Sequence, residues 1–156
     1  MKIKAFQEYY SAHNSHCFGC GYSNEHGLHL LTYWLDEAAG TTISRYTPPS
    51  FATGGVPGFA YGGLIAALMD CHGNATAFAT GHKHYGVEPS EDSGIRYVTA
   101  SITVDYLRPT PIDRELVITG KAVEITDRKV KMEMKIGFGD DEVTAKATMV
   151  AVRLKK

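Results

Sequence analysis

Charge of one sign, cysteine and long apolar runs are all in short supply in this sequence. Its 156 residues carry 16 lysines and arginines against 17 aspartates and glutamates, with no basic cluster. That removes the electrostatic case for binding nucleic acid or an anionic membrane. No apolar run is long enough to span a bilayer, and the first residues, MKIKAFQEYYSAHNSH, lack the continuous apolar core of a signal peptide. A soluble, cytoplasmic protein is expected, with no nucleic-acid or membrane partner. Cysteine occurs three times, an odd number, and Cys71 lies inside an apolar run, so a disulfide framework is not expected. Repeats and low-complexity tracts are missing, and the length fits one domain around one core, residues 1–156.

The scarcity of charge becomes informative between Arg45 and Lys83, where Asp70 is the only formally charged side chain. It stands in the stretch 51–80, a glycine-rich loop opening into a run of about four helical turns in which Leu64, Ile65, Leu68, Met69 and Phe78 alternate with alanines. A helix apolar nearly all round is buried. A carboxylate in its middle is costly unless it is paired or used.

On either side, the pattern reads as strands. Residues 3–14 space Ile3, Phe6, Tyr9 and Tyr10 as a short helix would. His16-Cys17-Phe18-Gly19-Cys20-Gly21 follows. With His13 and His26 its C-x-x-C resembles half of a zinc site, but the second pair of ligands is missing and Cys71 is assigned elsewhere. A packed, reduced turn without metal is therefore expected, closing an N-terminal extension over residues 1–26. Leu28 to Asp36 and Thr41 to Thr47 form a hairpin. Residues 81–94 are polar and read as the longest exposed loop, with His82 and His84 solvated. From Ile95 the period changes to two: Val98, Ala100, Ile102, Val104 and Tyr106 on one face, Thr99, Ser101, Thr103 and Asp105 on the other, ended by Arg108-Pro109-Thr110-Pro111. Strands over 116–126 and 129–138 and from Val143 to Leu154 complete the chain, with turns at Asp127-Arg128 and Gly139-Asp140-Asp141. An antiparallel sheet wrapped around one buried helix, an α+β domain, hides all these faces.

C-F-G-C-G followed by Gly27-Leu28, then P-G-x-x-x-G-G-x-x-x-x-L-x-D from Pro57 to Asp70, then T-x-S-x-T-V-x-Y-L-R-P-T-P from Thr99 to Pro111, resembles the hotdog-fold acyl-CoA thioesterases of the PaaI type. The resemblance covers Cys17 to the C-terminus. It implies a curved antiparallel sheet around one long central helix, hydrolysis of acyl-CoA thioesters by dimers or tetramers, and no metal or cofactor.

Thioester hydrolysis needs donors aimed at the developing oxyanion and a base or nucleophile beside the carbonyl carbon. A helix N-terminus at Gly62 and Gly63 supplies free N–H groups and partial positive charge, unobstructed by side chains. Asp70 supplies the second group, but it lies seven residues on, roughly 10 Å along the axis. Two antiparallel helices related by a two-fold would bring one protomer's amide to the other's carboxylate, so the chemistry asks for a dimer. Carried over by the resemblance, the Gly63 amide is the oxyanion donor, Asp70 the base or nucleophile, and Thr99 the hydroxyl that orients the attacking water. Tyr61 stands where the family usually has histidine. Gly62 and Arg108 are candidate substrate contacts, Arg108 for a phosphate of coenzyme A. His72, two residues from Asp70 and roughly 200° round the helix, is read as structural. Each residue also has a plainer role: Asp70 as a buried hydrogen-bonded carboxylate, the glycines as a tight turn, Thr99 as a strand residue, Arg108 as a solvated side chain. Two other functional readings accompany hydrolysis. One is a hotdog domain that binds acyl-CoA without turning it over; the other is a zinc-stabilised interaction module built on Cys17 and Cys20.

Overall fold

The computed structural model describes residues 3–139 and 141–155. Strands β1 (Thr32–Asp36) and β2 (Thr41–Tyr46) precede the helix α1 (Gly62–Tyr85), and β3 (Tyr97–Tyr106), β4 (Leu116–Ile125), β5 (Lys129–Phe138) and β6 (Glu142–Arg153) follow it. All six strands form one antiparallel sheet in the order β1-β2-β4-β5-β6-β3. Alternation along β5 decides which face is covered. Val130, Met132, Met134 and Ile136 are buried, while Lys129, Lys131, Glu133 and Lys135 are exposed. The buried row meets Leu64, Ile65, Leu68 and Met69 of α1 together with Leu116, Ile118 and Met149, and this is the main core. A single long helix in the concavity of a curved antiparallel sheet is the hotdog arrangement, as expected. Among the described residues no helix is long and apolar enough to cross a membrane.

Several elements differ from the sequence reading. The N-terminal helix is two 3₁₀ turns, Phe6–Tyr9 and Ala12–Asn14. The first strand begins at Thr32, not Leu28, because Leu28 and Leu30 donate their N–H groups to the carbonyls of Phe18 (2.7 Å) and Gly19 (3.0 Å). The helix runs on to Tyr85, five residues into the expected loop. Gly86, at φ 61°, ends it, with its own N–H on the Lys83 carbonyl and that of Val87 on the His82 carbonyl. His82 is consequently buried. Its Nδ1 bonds the Phe78 carbonyl and its Nε2 the Ser93 hydroxyl, both at 2.8 Å. His84 is in the same last turn, its ring beside Tyr85. In the turn before β6, Asp140 lies outside the described residues.

Several of the buried polar residues form a connected chain. Gln7 Nε2 donates to Thr32 Oγ1 (3.0 Å), which bonds Ser44 Oγ (2.9 Å). That hydroxyl meets His72 Nδ1 (2.8 Å), and His72 Nε2 meets Thr42 Oγ1 (3.0 Å). His72 is fully buried, and desolvation pushes its imidazole down to about 3, so it stays neutral. It fastens α1 to β2 and faces away from Asp70, which is the structural part expected of it.

Candidate active site

The helix begins without a side-chain cap. Tyr61 is the N-cap residue and its carbonyl accepts the N–H groups of Leu64 (3.0 Å) and Ile65 (3.4 Å). The two preceding amides, those of Gly62 and Gly63, have no acceptor among the described residues. Open N–H groups at the positive end of a 24-residue helix are an anion-stabilising element. Tyr61 is 59% exposed and its ring lies against Gly63: a Cβ there would stand 2.3 Å from the phenol oxygen. Glycine is required at this position for the ring to sit so close. The Tyr106 hydroxyl closes the other side by donating to the Gly62 carbonyl at 2.7 Å.

Asp70 sits two helical turns further on, partly buried. Thr99 donates its hydroxyl hydrogen to Asp70 Oδ1, and Asn74, one turn after Asp70, donates from Nδ2 to Thr99 Oγ1 at 2.6 Å. Burial lifts the Asp70 carboxyl above the usual carboxylate range; the Thr99 hydrogen bond pulls it partway back. Asn74 Oδ1 is buried with no partner among the described residues, an acceptor left open beside the carboxylate. Asp70 and Asn74 line a cavity of about 220 Å³ with Tyr10, Cys17, Cys71 and Arg96. A carboxylate held by a hydroxyl, next to an unfilled amide acceptor, is suited to binding and deprotonating a water.

Thr99 reaches Asp70 because of a β-bulge. The β3–β6 register shifts between Thr99 and Ser101, so Tyr97 and Thr99 turn toward the helix while Val98 and Ala100 are exposed; beyond the bulge Ile102 and Val104 face inward. Strict alternation had placed Val98 and Ala100 on the helix side. The extra residue re-aims the strand where the carboxylate needs a donor.

Of the expected site residues, the fold brings Asp70 and Thr99 together at one place and Tyr61, Gly62 and Gly63 at another, about 10 Å apart on α1. Arg108 belongs to the second group, in a surface cleft with Gly62, Ile65 and Tyr106. It is not simply solvated: its Nη1 is 2.6 Å from Glu142 Oε2, both side chains about half exposed. Asn74 is a site residue that the sequence pattern does not single out. Asn74 was detectable only as the residue at i+4 from Asp70. Cys71 was assigned away from the C-x-x-C turn, yet the structure places its sulfur 3.6 Å from that of Cys17.

The thioesterase superfamily model matches residues 57–145, the span from the loop before α1 through the start of β6. The chain belongs to the thioesterase superfamily. A solved thioesterase superfamily protein from Shewanella loihica PV-4 is 36% identical, with a TM-score of 0.68 over 94% of this chain and all of that one. Acyl-coenzyme A thioesterase THEM4 of Xenopus laevis is 33% identical over 101 residues, 64% of this chain and 40% of that protein. The chain thus spans about two-fifths of the length of the curated relatives it matches. The PaaI protein of E. coli, from the phenylacetic acid degradation operon, shares the fold at 16% identity and a TM-score of 0.65, over 82% of this chain and 81% of that one.

Proposed function

We propose that this thioesterase-superfamily protein hydrolyses acyl-CoA, or a related pantetheine thioester, to a free acid and the thiol. The observation that carries this reading is Asp70, a partly buried carboxylate held by the Thr99 hydroxyl beside a cavity with an open acceptor, on a helix whose N-terminal amides are free. Similarity to acyl-coenzyme A thioesterase THEM4 supports the proposed substrate class. Asp70 takes a proton from a water held by Asn74, and the oxygen adds to the thioester carbonyl. The oxyanion is stabilised by the Gly63 amide, the C–S bond breaks, and the departing thiolate takes up a proton. Arg108 exchanges Glu142 for a phosphate of the coenzyme at little cost, since exposed ion pairs contribute about 0–1 kcal/mol.

Gly63 and Asp70 of one chain are too far apart to act on the same carbonyl, so the reading includes a homodimer, or a tetramer built from it, with sites shared between protomers. Two features support that assembly. Thr99 lies on β3, an edge strand of ten residues whose outer N–H and C=O groups are available for pairing. Phe59, Tyr61, Tyr106 and Leu107 expose apolar surface around the helix N-terminus. A two-fold at that edge would set two copies of α1 side by side and antiparallel. Three unpaired cysteines fit a reducing, cytoplasmic setting.

The position of the Tyr61 ring against Gly63 favours a second reading, a domain that binds acyl-CoA without hydrolysing it, because the ring crowds the residue whose amide catalysis depends on. Thiol release measured across a panel of aliphatic and aryl acyl-CoAs separates the two. Turnover on any member supports hydrolysis; saturable binding of acyl-CoA with no thiol released from any of them would replace it with the binding role.

A further inference from the structure

We propose that Cys17, Cys20 and Cys71 form a three-thiolate zinc site in the wall of the cavity that holds Asp70. Two of the ligands come from the C-x-x-C turn and the third from the middle of α1, and all three sulfurs lie within 4.8 Å of one another. A tetrahedral zinc with Zn–S bonds near 2.3 Å sets its sulfurs about 3.8 Å apart. Cys17 and Cys71 are already at 3.6 Å, unbonded.

The surrounding backbone is shaped for thiolates. The turn is fixed by its own hydrogen bonds, Gly21 N–H on the Cys17 carbonyl (2.8 Å) and Ser23 N–H on the Ser15 carbonyl (2.9 Å), and by Leu28 and Leu30. The N–H groups of Gly19 and Cys20 point at the Cys17 sulfur. Two glycines permit the approach. A Cβ on Gly19 would lie 2.2 Å from the Cys71 sulfur, and one on Gly21 would lie 2.2 Å from the Ser15 carbonyl oxygen. Any side chain at Gly19 would push the turn off the helix and separate the third ligand from the other two.

Cys17, Cys20 and Cys71 all line the cavity, so the fourth position on the metal is filled from it, by water. Such a site pins residues 15–30, which contain no strand and no α-helix, onto the middle of α1. It does not depend on the protein being a hydrolase.

The test uses the whole protein, reduced and stripped of metal. Titration with Co²⁺ should give one ion per chain with intense sulfur-to-cobalt charge-transfer absorption and the visible bands of a tetrahedral site, all abolished by Zn²⁺. Cys71→Ser should weaken zinc binding at least a hundredfold, whereas Asp70→Asn should leave it unchanged. Alkylation read by mass spectrometry serves if the serine variant does not fold, with zinc protecting all three thiols of the wild type together. Cobalt without thiolate absorption, zinc bound equally by wild type and Cys71→Ser, or three thiols alkylated at the same rate with and without zinc would each overturn the proposal. So would reduced protein that takes up no metal and goes on to form a Cys17–Cys71 disulfide.

Discussion

At the scale of single residues, Asp70 does what the sequence implied a lone charge in an apolar helix must do: it finds a partner, Thr99, and a cavity. Asp70→Asn keeps the shape and a hydrogen-bond acceptor for Thr99 while removing the charge. Its kcat should fall by about a hundredfold or more, with unchanged far-UV circular dichroism and Tm. Wild-type turnover in a folded Asp70→Asn protein would remove Asp70 from the mechanism. Tyr61 is the second informative residue. If its phenol donates to the substrate, Tyr61→Phe should cost about 1–3 kcal/mol in kcat/KM, the value of a hydrogen bond in a desolvated site. A silent Tyr61→Phe accompanied by faster turnover in Tyr61→Ala would show the ring to be a shield over Gly63. The residue-level site was half legible. Asp70 and the two glycines stand out because each breaks a local pattern. Asn74 does not, and neither does the approach of Cys71 to the C-x-x-C turn, since Cys17 and Cys71 are brought together across 54 residues of chain, which no local pattern records.

At the scale of elements, the sheet was legible and its departures from regularity were not. Five of the strands come out within a residue or two of where the sequence pattern puts them, because a half-covered antiparallel strand writes its burial directly into the sequence. The bulge at Ala100 left no such mark: one extra residue moves Thr99 to the helix side without changing composition. The last helical turn was hidden by its own polarity, His82, Lys83, His84 and Tyr85 resembling a loop. Burial of His82 in that turn has a consequence for stability. Desolvation holds its imidazole below the ordinary histidine value, outweighing the Phe78 carbonyl and Glu88, which act the other way. The unfolded chain, with a histidine near pKa 6.5, therefore binds a proton that the folded chain refuses. Above about pH 6.5 both states are neutral and the effect vanishes. As the pH falls through that value, stability should decline and go on declining toward the folded-state pKa. His82→Gln retains a donor and an acceptor without titrating. The difference between the urea-unfolding free energies of wild type and His82→Gln should therefore change between pH 7.5 and about 5 in favour of the variant. A constant difference across that range would mean that His82 takes up its proton in the fold.

At the scale of the whole molecule, the length of the helix is what makes the proposed hydrolysis call for two chains. The open amides and the carboxylate are fixed on one rigid rod two turns apart, and no rearrangement of side chains closes that gap. A site assembled from two chains makes an expectation that a one-chain site does not. Gly63→Pro removes the amide donor at the second residue of the helix, where proline is tolerated, and the exposed Tyr61 ring has room to swing aside. Homo-oligomers of Gly63→Pro and of Asp70→Asn should both be nearly inactive. Mixed by refolding, they form heterodimers in which one composite site carries neither substitution and the other carries both. Activity should therefore recover toward half of the wild-type value per heterodimer, with the wild-type KM, because each intact site is identical to a native one. Heterodimers isolated by two affinity tags, and shown by circular dichroism to be as helical as wild type, that remain as inactive as either parent would place Gly63 and Asp70 of the same chain in the same site, and the two-chain site would be wrong.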